Sequence, residues 1–489
     1  MSMLSNLRCL SFPWVFQPIA ALLLASAVSS CEWFRPARET AKDKVYGDEA
    51  VGDLQGSQVF DPNTGEWRTV RTVAGKMDTV KWASLSEDRF PPVTTPSKFP
   101  NGAGNETPAP GKPAAKPAAK VYEVRMMLPF LTQRNTPAAA DINPESRWGI
   151  QFYAGAKLAY QELEAAGTKM NITVNDTETS SDKLTNIQRS ELSSHSNLII
   201  GPYKRDQVNQ MASFAKQNKI PLVVPHTAQM GMTSANPYYI QVNPSLKSHC
   251  EAILKHARRR FASEDIVLVV RDDPDEKARL KFFQDASATL EGKREGARLR
   301  EFIVPGNLNS ISVDAYIRSG RTTVFIVPSW SNEPFVYSLL RQLMIKKSEG
   351  EDIVVYGMPM WMDYEQVDFE YYERLSVLVS SVSFVEKTSD RVREFNRRFY
   401  EAYGTIPSDE AYLGYDIIHF FGIAMNKWGE GFYEKIDRES YSGLRGKFQF
   451  QRVVLEPEKH REDLDYIDQM ENTYVHILQF RDYHFQPAD

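Results

Sequence analysis

The sequence predicts an α/β protein of two doubly wound parallel-sheet lobes, preceded by a small β-hairpin region and a Pro/Ala-rich linker. Three observations predict it. From residue 121 onward, short apolar runs alternate with amphipathic stretches of helical period, as in a parallel sheet covered on both faces. The alternation restarts at Asp265, which asks for a second sheet. Residues 91–120 are dominated by Pro, Ala, Lys and Gly, from which no core can form. A chain of 489 residues is also too long for one ordinary core.

The elements follow in order. Before the linker, EWRTVRTV and MDTVKWA flank Ala74-Gly75-Lys76 and predict a hairpin. The linker, at about 3 Å per residue, can reach roughly 90 Å and reads as a tether. VYEVRMMLPF predicts a strand, GIQFYAGAKLAYQELEAAG a helix closed by Gly167, and NITVND a second strand. SDKLTNIQRSEL predicts a short helix, NLIIGPY a buried strand ending in a turn, RDQVNQMASFAKQNK a helix and IPLVVPHT a strand. NPSLKSHCEAILKHARRRF predicts the helix that leads into the second series. There DIVLVVRDD, ARLREFIVP, TTVFIVPSW and DIVVYGMP predict strands, and EKARLKFFQDASATL and SNEPFVYSLLRQLMIKK predict helices. FYEAYGTIPSDEAYLGYD predicts a helix stopped by Gly404 and Pro407, then a second helix opened by Ser408, Asp409 and Glu410.

Bulk composition excludes several functions. Charged residues make up 25% and the net charge is −5, so no basic surface for nucleic acid is expected. No GxSxG elbow, P-loop or HExxH motif occurs. The histidines show no metal spacing, and Asp272, Asp273 and Asp275 read as a strand-to-helix turn. The chain is therefore expected to be no enzyme and to need no cofactor or metal.

The N-terminus reads as an export signal. Arg8 precedes an apolar run from Leu10 to Val28 that Pro13, Gln17 and Pro18 interrupt, too broken for a permanent membrane helix. LASAVSSC then resembles a bacterial lipobox, with Val28 where Leu is favoured. That resemblance implies lipidation of Cys31 and a protein held on a membrane in the bacterial cell envelope, on its periplasmic side or at the outer membrane. Cys9 lies in the signal and Cys250 in an apolar-periodic helix, where it reads as a buried small hydrophobe. The alternative is a simple secreted protein with a stray Cys31.

From 121 to about 485 the chain resembles the type I periplasmic binding proteins, the branched-chain amino acid binding and extracellular receptor group. The residues that carry this are FYAGAKLAYQELEAAG, where Gly155 and Ala159 would let the helix lie close on the sheet, and the strand ending at Asp176. NLIIGPY, KIPLVVPHT, FYEAYGTIPSDEAYLGYD and LRGKFQF follow in the family's order. Before that body the chain divides into a lipoprotein signal at 1–30, a small region at 31–90 and the linker at 91–120. The resemblance assigns 121–250 with 386–450 to lobe one, and 251–385 with 451–485 to lobe two. It buries the helix from Ser408 along lobe one, with Tyr412 and Tyr415 on its contact face.

The resemblance also implies a ligand cleft between the lobes, at the carboxyl ends of the strands. The residues expected there are Tyr203, Lys204, Arg205, His226, Thr227 and Gln229 from lobe one. Lobe two would add Asp272, Ser329, Trp330 and Trp361. Thr227 stands where the family holds an amino acid's carboxylate. Lys204 and Arg205 stand near the place of the family's serine, and Met358-Pro359-Met360 replaces the acid that would hold an ammonium. A standard amino acid is therefore not the expected ligand. Lys204 and Arg205 can either bind an anion at a helix start or form a solvated pair. Trp330 and Trp361 can either stack on a ring or form a partner surface. Two functions remain open: a membrane-tethered solute-binding protein serving a transporter or sensor, and an envelope interaction protein using the fold as a scaffold. An outer-membrane lipoprotein that activates a peptidoglycan synthase supplies a precedent for the second.

Overall fold

The computed structural model describes residues 57–61, 66–70, 120–135, 142–190, 196–290, 298–305, 311–463 and 465–488. The export signal, Cys31, MDTVKWA and the linker up to Ala119 lie outside the described residues. The N-terminal unit contains a hairpin of β1 (Ser57–Asp61) and β2 (Glu66–Val70). EWRTV is thus a strand, as its alternation predicts, and it pairs with the upstream SQVFD; the expected partner MDTVKWA lies outside the described residues.

The second unit, from Gly111, holds two α/β lobes of seven strands each. Lobe one begins with β3 (Val121–Leu128), α1 (Arg147–Ala165), β4 (Lys169–Asp176) and α2 (Ser181–Ser190). It continues with β5 (Leu198–Ile200), α3 (Arg205–Asn218), β6 (Leu222–Val224) and β7 (Tyr239–Gln241). The chain then crosses to lobe two: α4 (Leu246–Arg258), β8 (Ile266–Arg271), α5 (Pro274–Leu290), β9 (Arg300–Val304) and β10 (Thr323–Ile326). There follow α6 (Glu333–Ser348), β11 (Ile353–Gly357), α7 (Phe369–Arg374) and β12 (Leu378–Ser381). It returns to lobe one for α8 (Asp390–Tyr403), α9 (Asp409–Trp428), the short pair β13 (Tyr441–Ser442) and β14 (Lys447–Phe448), then β15 (Phe450–Val453) and β16 (Gln469–Asn472). A third crossing delivers β17 (His476–Arg481) and β18 (His484–Pro487) to lobe two.

Lobe one's sheet runs β15-β16-β7-β6-β5-β3-β4 and lobe two's runs β18-β17-β12-β11-β10-β8-β9. The five strands from β9 to β12 are parallel, and so are the six from β4 to β16; the remaining edge strands are antiparallel. The central strands LII, LVV and TVFI are buried along their whole length, so both faces must be apolar and no alternation shows in the sequence.

Two boundaries differ from the sequence reading. Residues 451–472 were expected in lobe two, yet β15 and β16 extend the sheet of lobe one through the β16–β7 pairing. Helix α4, begun within the share given to lobe one, buries Cys250, Ile253, Leu254 and Ala257 in the core of lobe two. Cys250 is a buried small hydrophobe, as its spacing predicts.

The α8–α9 turn forms as its residues dictate. Gly404 takes a φ of +66° and its N–H bonds Tyr400 O at 2.8 Å, closing α8. Ser408 occupies the N-cap of α9, but its hydroxyl bonds the Glu410 carboxylate instead of the helix backbone. Helix α9 is buried, with Tyr412 and Tyr415 in the lobe-one core. A Cβ on Gly155 would lie 1.8 Å from Ala411 O, and one on Gly414 would lie 2.0 Å from Phe152 O. Gly155 therefore brings α1 against α9 rather than against the sheet, which corrects the expected role of that glycine.

The lobes are joined at three crossings, near residues 242–245, 382–386 and 473–475. Glu471, in β16, accepts from Ser245 N at 2.9 Å and from the Ser248 hydroxyl at 2.6 Å, fastening lobe one to the start of α4. Asn472 donates to Val242 O and Lys447 O, and accepts from Gln449 N and Tyr474 N. At the second crossing Phe384 N donates to Arg445 O at 2.7 Å, and Arg445 pairs with Asp409 at 2.5 Å.

Candidate ligand site

Strands β5 and β6 are neighbours in a parallel sheet, so the loops at their carboxyl ends emerge side by side. The loop after β5 turns at Gly201, whose φ is +94° and whose Cβ would meet Met127 O at 2.2 Å. That close approach admits only glycine and sets Tyr203, Lys204 and Arg205 above the sheet edge. The loop after β6 is tied by Asn243, whose amide donates to His226 O at 2.6 Å. The Thr227 hydroxyl accepts from Gln229 N at 3.3 Å, bending the loop back on itself.

The two loops enclose a depression of about 440 Å³ lined by Tyr203, Lys204, Arg205, His226, Thr227, Ala228 and Gln229. All six lobe-one residues expected at the site thus come together. Lys204 is the N-cap of α3 with an extended backbone, and no side chain caps the helix start. Lys204 and Arg205 are exposed, and neither forms an ion pair with a described residue. Their two charges add to the positive end of the helix, so the potential there favours an anion.

Aromatic rings close one side. Tyr203 and His226 stack with centroids 4.1 Å apart, and Trp148 lies 4.7 Å from Tyr203 and 5.9 Å from His226. Desolvation by its neighbours and the nearby Lys204 charge pull the His226 pKa below 6.5, against the field of Glu410, although the residue stays exposed. Burial raises the Tyr203 pKa above its ordinary value, and Glu410 adds to that rise. Trp148 was missed in the sequence, although it sits in the first turn of α1, the helix that follows the carboxyl end of β3; applying the strand-end rule to the first strand and its helix start would have found it. Trp148 also lines a second groove of about 1010 Å³ with Ile150, Gln151, Tyr403 and Glu410.

Lobe two behaves differently. Trp361 is fully buried: a 3-10 turn at Pro359–Asp363 folds its ring onto Gly357, and its indole N–H donates to Ser329 O at 2.9 Å. Ser329 is buried too, and its hydroxyl donates to Glu276 at 2.9 Å. Glu276 is itself held by Arg271 at 2.9 Å. The expectation that Ser329 and Trp361 face a ligand is therefore corrected: both belong to the wall behind the loops. Trp330 is half-buried against the lobe-two core and meets His249 edge-on at 5.6 Å. Asp272 is exposed and paired with Lys277 at 2.7 Å. Among the described residues no cluster of His, Cys, Asp or Glu is arranged to hold a metal ion, and no helix is long and apolar enough to cross a membrane.

Residues 128–454 match the family model for periplasmic binding protein. Among solved structures, a branched-chain amino acid ABC transporter protein from Rhodospirillum rubrum is 16% identical, with a TM-score of 0.53, over 76% of this chain and 100% of that one. A substrate-binding protein from Desulfitobacterium hafniense, in complex with Leu, is 17% identical, with a TM-score of 0.47, over 76% and 100% of the two chains. A solute-binding protein from Rhodopseudomonas palustris, in complex with 3,4-dihydroxybenzoic acid, is 16% identical, with a TM-score of 0.43, over 75% and 96%. Among curated proteins none matches.

Proposed function

Because this chain belongs to the periplasmic binding protein family, we propose that it is a solute-binding protein of the bacterial envelope, tethered by lipid on Cys31. Its ligand is a small anion held by Lys204, Arg205 and the open start of α3, beside the rings of Tyr203, His226 and Trp148. Thr227 and Gln229 supply further polar contacts, and closure of the lobes brings Asp272 and Trp330 to the other side. The loaded protein serves a transporter or a sensor. The observation that carries this reading is the shared depression, where two cations without acidic partners among the described residues adjoin a helix start that Lys204 does not cap with its side chain.

The test is thermal unfolding against a panel of organic acids, phosphates, sugars, nucleosides and amino acids. A ligand at 100 times its dissociation constant adds about 2.7 kcal/mol and raises the midpoint by a few degrees. An acid should produce that rise, and Arg205→Ala should abolish it while leaving the unliganded midpoint unchanged. A neutral sugar as the sole stabilising compound would overturn the anionic assignment.

A second reading is favoured by the state of lobe two. With Ser329 and Trp361 buried, that lobe offers few side chains to a ligand, as in a scaffold that binds an envelope protein. On this reading no member of the panel shifts the midpoint, and deleting residues 32–90 or shortening the linker abolishes function in cells.

A further inference from the structure

Away from the strand ends that hold the candidate ligand site, a cavity of about 420 Å³ opens where the lobes join. One wall is a face of α4, in lobe two, and the opposite wall is β15, in lobe one. Its floor is the third crossing, from Thr473 to Val475.

The walls carry two cations and one carboxylate, that of Glu251. Lys255 lies in the last turn of α4 and Arg259, four residues on, is its C-cap with helical backbone, so their side chains share one face. Both are exposed, and neither has an acid within salt-bridge reach among the described residues. Glu251, one turn earlier, is taken by Lys247 at 3.5 Å. From the other lobe come the side-chain amides of Gln449 and Gln451, and the crossing adds the Tyr474 hydroxyl. None of these three groups forms a hydrogen bond with a described residue. A further cation, Lys447, lies 5.4 Å from the Tyr474 ring centroid. Cations at the end of α4 suit its dipole without any ligand. That account leaves unexplained why the facing lobe presents only neutral donors across an open space.

We propose that this cavity is a second binding site, for a small oxyanion carrying two or more negative charges. Lys255 and Arg259 would supply charge-assisted bonds, and Gln449, Gln451 and Tyr474 would donate from across the junction. Such an anion touches both lobes at once. Its affinity therefore depends on the angle between them, and by linkage its binding biases that angle. The inference stands on the cavity alone and does not rest on the reading of the first site.

The experiment is isothermal titration of the full chain with inorganic phosphate and with citrate, at fixed ionic strength set by sodium chloride. One of the two anions should bind saturably to a site that persists, one per chain, in Arg205→Ala. The double variant Lys255→Ala/Arg259→Ala, changed only on the helix surface, should weaken it at least tenfold, and Arg205→Ala should leave it unchanged. Hydrogen exchange with the bound anion should slow amides at 449–451 and 473–476 as well as at the end of α4. Absence of saturable binding overturns the site, as does binding indifferent to the double variant. Loss in Arg205→Ala alone also overturns it, and assigns the anion to the first site instead. Protection confined to α4 overturns the two-lobe geometry.

Discussion

At the scale of single residues, two carboxylates, one half-buried and one buried, organise loops that the sequence presents as unrelated motifs. Asp176 ends β4 and accepts from the backbone N–H groups of Phe130, Leu131, Thr132 and Glu178. Burial opposes its ionisation, but those donors prevail and hold its pKa below the ordinary range. Asp416, in α9, accepts from Leu444 N at 2.7 Å and Arg445 N at 3.1 Å, and so joins the YLGYD motif to LRGKFQF. Gly443 leaves room for it, since a Cβ there would lie 2.3 Å from the carboxylate. Asp416→Ala strands two buried N–H groups and should cost about 2–4 kcal/mol, read as a lower urea midpoint with unchanged slope. Both acids were legible as motif residues. Their partners were not, because a carboxylate's choice among distant N–H groups leaves no local pattern.

At the scale of elements, legibility followed locality. Helix stops and starts are written in a few adjacent residues, so the Gly404 stop and the Ser408 start were readable, and only the partner of the Ser408 hydroxyl was not. Burial of α9, with Tyr412 and Tyr415 on its contact face, was implied by the family resemblance. The reciprocal fit of Gly155 and Gly414 across α1 and α9 was half readable: two glycines were visible, but not that each faces the other helix's backbone. Gly414→Ala would set its Cβ 2.0 Å from Phe152 O, which only a separation of the helices relieves. Overpacking of this kind costs about 1–3 kcal/mol or more, and should appear as a lower thermal midpoint with the helical circular dichroism retained. The same change at Gly431, where a Cβ meets nothing within 4 Å, should leave the midpoint within a degree or so. Trp361 and Ser329 were misread for the converse reason. They sit in the loops where ligands are expected, and only the turn after β11 sends the indole inward.

At the scale of the whole molecule, stability should depend on pH through three desolvated groups, two buried and one half-buried. Burial pulls His249 and His476 from 6.5 to about 4. Between those values the unfolded chain takes up protons that the folded one refuses, so stability falls as pH drops from 6.5 towards 4. Asp416 acts oppositely: burial raises its pKa from 3.8 to about 7, so its contribution falls as pH rises through that window. Two histidines outweigh one carboxyl, and the thermal midpoint should climb from pH 4.5 to 6. His249→Gln should flatten that climb, and an equal slope in the variant would show that His249 is already charged in the fold. Two lobes and their alternating elements were readable from period and length. The ownership of residues 451–472 was not, because strand exchange between lobes is decided by long-range pairing of two four-residue strands with little apolar signature of their own.

That exchange has a consequence for biogenesis. Each sheet is finished by the end of the chain: β16 supplies lobe one at 469–472, and β17 and β18 supply lobe two at 476–487. Neither sheet is complete until residues 469–487 are available, so both halves depend on the same short stretch of chain to finish folding, and neither lobe can be completed ahead of the other.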